Sequence, residues 1–423
     1  MLDIKLIREN ADAVKKGLSK RDPAFAGAVD SIRKLDEDRR RIIVETETLK
    51  NQRNVASREI GQIKSKGQDA SSAMAAMKKV GDDIATLDQK LREMDEKVHR
   101  ELLLLPNLPH DSVPAGDGLA NREIRTWGKK RKFEFKPKPH WELGENLGIL
   151  DFKGAAKITG SGFVSFRKQG ARLERALIQL MLDIHTRDHG YMEISPPYLI
   201  NEASMIGTGQ LPKFAVDMYG LKDDPLYLAP TAEVPLTNLH REEILKEEQL
   251  PIRYCAYTPC FRREAGSAGK DTRGMIRVHQ FDKVELVKIV HPGHSYDELE
   301  QLLLNAETIL HILNLHYRVI LLSSGDMGFG AAKCYDIEVW CPGIDAYQEV
   351  SSCSNFEAFQ ARRMNLRYKG GDGKNHFCHT LNGSGTALAR LFIALLENGQ
   401  QADGTIVLPD ALKPYWGGDL VIR

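Results

Sequence analysis

The run from Phe261 to Glu285, FRREAGSAGKDTRGMIRVHQFDKVE, concentrates groups that could do chemistry: six Lys/Arg and one His stand beside four acids and three glycines. Its arginines suit a polyphosphate, because the planar guanidinium donates in pairs to phosphate oxygens. Charged runs ordinarily face water; the order Arg262, Glu264, Arg277, Phe281, Glu285 sets this one apart. Two other segments hold groups of the same kind. Glu349 and Ser352, in EVSSCSN, carry carboxylate and hydroxyl oxygens, although a lone Glu before two serines is ordinarily a cap or a surface residue. Arg390 follows GSGTALA, which reads as a glycine-flanked turn entering a helix, and precedes the apolar run LFIALL. An arginine about two turns into such a helix needs an anion as partner.

The elements that must position these groups are partly readable. YCAYTPC before the run and MIRVHQFDKVELVKIV overlapping its end are rich in β-branched and aromatic residues and read as strands. Together they form a hairpin whose loop far exceeds the usual two to five residues, and long loops in compact domains are usually functional. Separate hairpins fit the rest better than a regular βαβ alternation. The expected fold class is α+β, an antiparallel sheet flanked by helices. No G-x-x-x-x-G-K-[ST] is present, and Gly383-Ser-Gly385 lacks the last glycine of G-x-G-x-x-G.

The segment resembles motif 2 of class II aminoacyl-tRNA synthetases, and in detail that of seryl-tRNA synthetases of the bacterial type. The resemblance runs over nearly the whole chain. It includes GTGQLPKF (207–214), PTAEVPLTN (230–238) and EVSSCSNFEAFQARRM (349–364). HTLNGSGTALAR (379–390) is similar to motif 3. The helix-like run before Pro196-Pro197, with Leu173, Leu177, Leu180, Met181 and Ile184 on one face, is similar to motif 1. The order and spacing of these segments make the match specific.

The resemblance implies a ligase that activates L-serine with ATP to seryl-adenylate, forming AMP and diphosphate. The seryl group then passes to the 3′ end of tRNA(Ser), with tRNA(Sec) a second acceptor in many bacterial members. A carboxylate attacking a phosphate brings two anions together, so the work is charge neutralisation and alignment. By the resemblance Arg262 bridges the α-phosphate and the substrate carboxylate. Glu264 accepts from the adenine amino group, Val278 lies beside the base, Phe281 stacks on it, and Arg277 holds the bent triphosphate. Arg263 joins the ATP set without an assigned contact. Glu349 and Ser352 hold Mg²⁺ with ATP, Val350 and Ser351 lie between them, and Arg390 meets the γ-phosphate. Arg262, Arg390 and Glu349 form the catalytic set. Thr231, Ala232, Glu233, Arg262, Glu285 and Ser384 bind serine; acceptors built for a hydroxyl reject alanine because they would be left unpaired. Pro197 fits the motif 1 proline, which lies at the homodimer interface in the family, with each tRNA bound across both subunits.

Bulk properties set limits. Lys+Arg 59 against Asp+Glu 58 leaves almost no net charge, so any nucleic-acid surface must be local. Six cysteines without a C-x-x-C pair suggest buried thiols; no zinc is expected. The start, MLDIKLIREN, lacks an apolar signal region, and no segment approaches a membrane span. The chain reads as cytoplasmic.

Three regions follow: 1–103, tRNA-binding, with a coiled-coil hairpin over about 28–102; 104–140, a linker; and 141–423, catalytic. Met77, Val80, Ile84, Leu87, Leu91, Met94 and Val98 alternate steps of three and four. The same steps from Ala28 to Ile63 give a second seam, interrupted by Arg39, Thr46 and Arg53, and Lys64–Ser72 suits the reversal. From Arg33 to Lys66 ten Lys/Arg face six acids; from Lys78 to Arg100 the count is six and six. Arg39, Arg40, Arg53, Arg58, Lys64 and Lys66 are therefore candidate phosphate contacts for tRNA. No Phe, Trp or Tyr lies between Val29 and Leu102, which favours shape over base stacking. A second basic, proline-bearing stretch spans Lys129–Pro139.

Overall fold

A computed structural model describes residues 1–265 and 273–423. The chain divides into two units, one from Leu2 to Pro106 and the other from Asn107 to Arg423 with Met1. The first unit is helical. Its two long helices are α1, Phe25–Ser65, and α2, Ser71–Leu104. Gly67 makes the reversal between them at φ +71°, a conformation that a side chain disfavours. Pro106 follows the end of α2.

The a/d pattern holds along both helices. Ile84, Leu87 and Val98 are buried, and Met77, Val80, Leu91 and Met94 are half-buried. On α1, Ile32, Thr46 and Ile60 are buried, and of the seam only Arg53 is exposed. Lys50 pairs with Asp88 across the hairpin at 2.9 Å. Arg39 pairs with Asp95 on α2 at 3.2 Å and with Asp36 at 3.5 Å. Its seam position turns it toward α2, and carboxylates meet it. Arg40, Arg53, Arg58, Lys64 and Lys66 are exposed.

The second unit is built on a sheet of eight strands among the described residues. In chain order they are β1 (Arg122–Trp127), β2 (Met192–Glu193), β3 (Ile252–Phe261), β4 (Gln280–Val290), β5 (Tyr317–Leu321), β6 (Lys333–Cys341), β7 (Ala346–Asn355) and β8 (His379–Ala387). Their spatial order is β1-β5-β6-β7-β8-β4-β3-β2, antiparallel except for the β2–β3 pair. The stretch 104–140 thus contains an edge strand of this sheet.

Alternation along the strands decides which side each residue faces. Val284 and Leu286 of β4 point into the core, with Ile337 and Val339 of β6. There they meet α3 (Gln169–Arg187), α4 (Ser295–Ile312) and α5 (Leu388–Gly399). The expected apolar face of α3, Leu173, Leu177, Leu180, Met181 and Ile184, is buried in this core. All six cysteines are buried free thiols.

GSGTA, 383–387, is strand and not a turn, and Gly383 and Gly385 serve close packing. A Cβ at Gly383 would lie 2.8 Å from Cys353 Sγ, and one at Gly385 2.6 Å from His185 Nε2. The helix therefore begins at Leu388, and Arg390 sits in its first turn instead of two turns in. There the helix N-terminus adds to its positive field.

Candidate active site

The other side of the sheet carries a cavity of about 630 Å³. Phe281, Lys283 and Glu285 alternate along β4 and line it, beside Asn382 and Ser384 of β8. On β7, Glu349 and Ser352 are three residues apart and would face opposite sides of a regular strand. A bulge corrects this: Ile337 pairs with Ser351 but Glu338 pairs with Glu349, leaving Val350 unmatched. Both side chains then line the cavity. A second register shift, between Ser384 and Thr386, sits beside Glu285.

At one end the cavity is cationic. Arg262 follows β3 directly; its Nε donates to Pro230 O at 3.2 Å, and its guanidinium lies 5.3 Å from the centre of the Phe281 ring. Arg277 Nη1 donates to Glu264 Oε2 at 3.1 Å. Arg390 Nη1 donates to Glu349 O at 2.8 Å and stands 3.5 Å from Glu349 Oε2. Two of these three arginines thus have carboxylate partners that a polyanion could replace. Asp336 pairs with Ser352 across β6 and β7. Burial, then the nearby Glu349 carboxylate, holds its pKa well above the usual range. Two carboxylates and a hydroxyl gathered here are hard oxygen donors of the kind Mg²⁺ takes.

The other end is a small buried ionic knot. Glu285 pairs with Lys283, accepts from Asn382 Nδ2 at 2.9 Å, and is approached by Ser384 Oγ at 3.5 Å. Lys283 Nζ also donates to Thr231 Oγ1 at 2.8 Å, and Thr231 Oγ1 accepts from the Glu233 N–H at 3.2 Å. Both acceptor positions of the Thr231 hydroxyl are filled, so its proton remains to donate. Glu233 accepts from Gln360 Nε2 at 2.6 Å. Burial first, and the Glu285 charge second, push its pKa to about 7.

The structure gathers Thr231, Glu233, Arg262, Glu264, Arg277, Val278, Phe281, Glu285, Glu349, Val350, Ser352, Ser384 and Arg390 around the cavity. Three expected residues do not line it. Ala232 is fully buried against Leu236, Ala256 and Val287. The exposed Arg263 has its backbone N–H on Asp217 O at 2.9 Å. Ser351 faces away and donates to Ser384 O at 2.6 Å. Gly266, Gly269 and Gly274 are expected to free the loop to close over ATP; the first two lie outside the described residues, and Gly274, at φ +63°, packs against the His140 ring. Sequence reasoning missed Lys283, Asn382, Gln360 and Asp336. The period-two run Phe281, Lys283, Glu285 was the available signal for the first.

Comparison with known proteins bears on what such a cavity does. Residues 214–399 match the family described as "tRNA synthetase class II core domain (G, H, P, S and T)", and residues 1–109 match "Seryl-tRNA synthetase N-terminal domain". The serine–tRNA ligase of Methylacidiphilum infernorum is 56% identical over 98% of this chain and 99% of its own length. The chain belongs to the seryl-tRNA synthetase family. Among solved structures, the seryl-tRNA synthetase of Pyrococcus horikoshii complexed with ATP superposes with TM-score 0.94. It is 39% identical, over 100% of this chain and 99% of that one. The cytoplasmic serine–tRNA ligase of Naegleria fowleri, in complex with AMP, gives 0.88 at 29% identity, over 100% and 99% of the two chains. As a seryl-tRNA synthetase, the chain activates serine with ATP and transfers the seryl group to tRNA(Ser). Among the described residues no helix is long and apolar enough to cross a membrane.

Proposed function

We propose that the cavity divides the activation step between its two ends, ATP lying along the arginine end and serine in the Glu233–Lys283–Glu285 knot. The observation that carries this reading is Arg262, which stands between the two ends and lines both. There its guanidinium can touch the α-phosphate and the serine carboxylate together and neutralise the charge that builds as they react. Phe281 stacks on adenine, Val278 packs beside it, and Glu264 accepts from its amino group, releasing Arg277 to the triphosphate. Arg390 leaves Glu349 for the γ-phosphate. Glu349 and Ser352 would hold Mg²⁺, with Asp336 beside them; the ion supplies charge neutralisation for the phosphates.

In the serine pocket Glu285 accepts from the substrate hydroxyl, Thr231 donates, and the two glutamates face the α-ammonium. Ser384 lies within reach of the same hydroxyl. Ala232 acts only by filling space behind Thr231. The unit Leu2–Pro106 supplies tRNA contacts through Arg40, Arg53, Arg58, Lys64 and Lys66. We assign a cytoplasmic homodimer, with Pro197 and α3 at its interface and each tRNA spanning both subunits.

Amino-acid-dependent ATP–pyrophosphate exchange tests this reading, with and without deletion of 33–100. Serine-dependent exchange should survive the deletion while tRNA charging is lost. Exchange that requires glycine or alanine instead would sink the pocket assignment.

A further inference from the structure

The basic stretch from Lys129 to Lys138 has no part in the site above, yet it holds six Lys/Arg against one acid in a chain of nearly zero net charge. From Lys132 to Pro139 exposed and half-buried positions alternate through a bend at Glu134 and Phe135, with Phe133, Phe135, Pro137 and Pro139 the half-buried ones. Lys132, Lys136 and Lys138 share the outer side; the last two stand about 7 Å apart at ~3.4 Å per residue. Two of the cations bind the stretch down. Lys130 Nζ sits 3.2 Å from the centre of the Trp340 ring, and Arg131 Nη2 reaches Gln401 Oε1 at 3.3 Å. Lys129, Lys132, Lys136 and Lys138 are exposed and make no ion pair among the described residues.

The stretch is also tied to the rim of the cavity. Gln400 brackets Lys138, accepting its N–H at 2.8 Å and donating to its carbonyl at 3.1 Å. Two residues later His140 is wholly buried; its Nδ1 meets Glu397 Oε1 at 3.0 Å, and its Nε2 accepts from the Met275 N–H at 3.0 Å. Met275 lines the cavity and lies five residues before β4. A set of exposed ammonium groups thus begins two residues from a buried anchor that holds the cavity wall.

We propose that Lys129, Lys132, Lys136 and Lys138 form a contact surface for the phosphate backbone of the tRNA as its 3′ end enters the cavity. Exposed lysines suit sequence-independent phosphate contact, since each is a point charge with no fixed fork to read a base. The aromatic rings are turned inward and used in packing, which argues against base stacking on this surface. The proposal rests on the tRNA-charging activity, and its test keeps the two apart.

The salt dependence of tRNA(Ser) binding should be compared between the wild type and the variant K129Q/K132Q/K136Q/K138Q. Each lost phosphate contact lowers the slope of log K against log [salt] by about 0.7–0.9, so the variant's slope should be shallower by about 3. Its KM for tRNA in charging should rise at least about tenfold, with serine-dependent ATP–pyrophosphate exchange within about twofold of wild type. The pair K136Q/K138Q, a milder change, should give about half the loss of slope. An unchanged slope in both variants overturns the proposal and leaves the exchange result, and the activation site with it, intact. A loss of exchange as large as the loss of charging also overturns it, because the lysines would then be supporting the cavity instead of meeting RNA.

Discussion

The hairpin of α1 and α2 and the cavity on the sheet use their charges in opposite ways. Along α1 the candidate cations Arg40, Arg53, Arg58, Lys64 and Lys66 stand exposed in water. In the cavity Lys283 and Glu285 are buried, and Arg262, Arg277 and Arg390 are half-buried with fixed acceptors. Exposed charges act through their sum and are screened within about 10 Å at ordinary salt. Buried ones act through position, and removing one strands its partner. Single substitutions should therefore have large effects in the cavity and small, additive ones on the hairpin.

The largest effect should come from Arg262→Ala. A preorganised group aimed at developing charge contributes about 10²–10³ in rate, and Arg262 serves both reactants, so exchange should fall about 10³-fold. Thermal unfolding should stay close to wild type. A large loss of stability would instead make the arginine an internal tie to Pro230.

Lys283→Met should come next. It leaves Glu285 buried without its cation and removes one of the two donors to Thr231 Oγ1, a loss of the order of 2–4 kcal/mol in serine binding. The KM for serine should rise about 100-fold while that for ATP moves less than about threefold. Lys283→Arg should recover part of the loss. Equal rises in both KM values would break the division of the cavity into two ends.

Glu233 supplies a smaller, pH-dependent effect. Its carboxyl titrates at about 7 in the fold, above the ordinary 4.5. Below about pH 7 it is neutral and attracts the serine ammonium less, so the KM for serine should rise as pH falls from 8 to 6. Glu233→Gln should weaken serine binding at pH 8 and flatten that profile. The stability sign is the reverse. A raised folded-state pKa favours the protonated fold, so the wild type loses stability between about pH 4.5 and 7, by about 3 kcal/mol at most. Glu233→Gln should avoid that loss and unfold at a higher temperature at pH 8 but not at pH 4. A flat serine profile in the wild type would place the ammonium elsewhere.

How much could be read beforehand also differs between the two regions. The hairpin's seam was legible because a heptad is local: each position's environment follows from its neighbours three and four residues away. The pairing of Arg39 was not legible, because the same local rule gives no view of which carboxylate waits across the seam. In the cavity the residues were legible mainly through the order of motifs. The geometry was not, because it depends on strand pairing between distant segments. Nothing in EVSSCS announces that Val350 is the bulged residue that brings Glu349 and Ser352 to one face. Gly385 looked like a turn residue and is a clearance for His185, a residue two hundred positions earlier. Lys283 was hidden in plain alternation, since a lysine in a strand ordinarily faces water.

The smallest effects, on the hairpin, sharpen the comparison most. Arg53→Gln and Arg58→Gln each remove one exposed cation from α1, and neither residue makes an ion pair among the described residues. Each should weaken tRNA binding only a few-fold and lower the salt slope by about 1. The double variant should lower it by about 2, because sites without a shared partner add. Arg39→Gln should behave differently. Its charge is committed to Asp36 and Asp95, so it should lower the melting temperature of the hairpin and leave the salt slope nearly unchanged. If Arg39→Gln instead lowered the slope as much as Arg53→Gln, the ion pairs across the seam would be too weak to hold it from RNA. The hairpin would then offer every cation on α1 to the tRNA, buried edge or not, and position would count for nothing there.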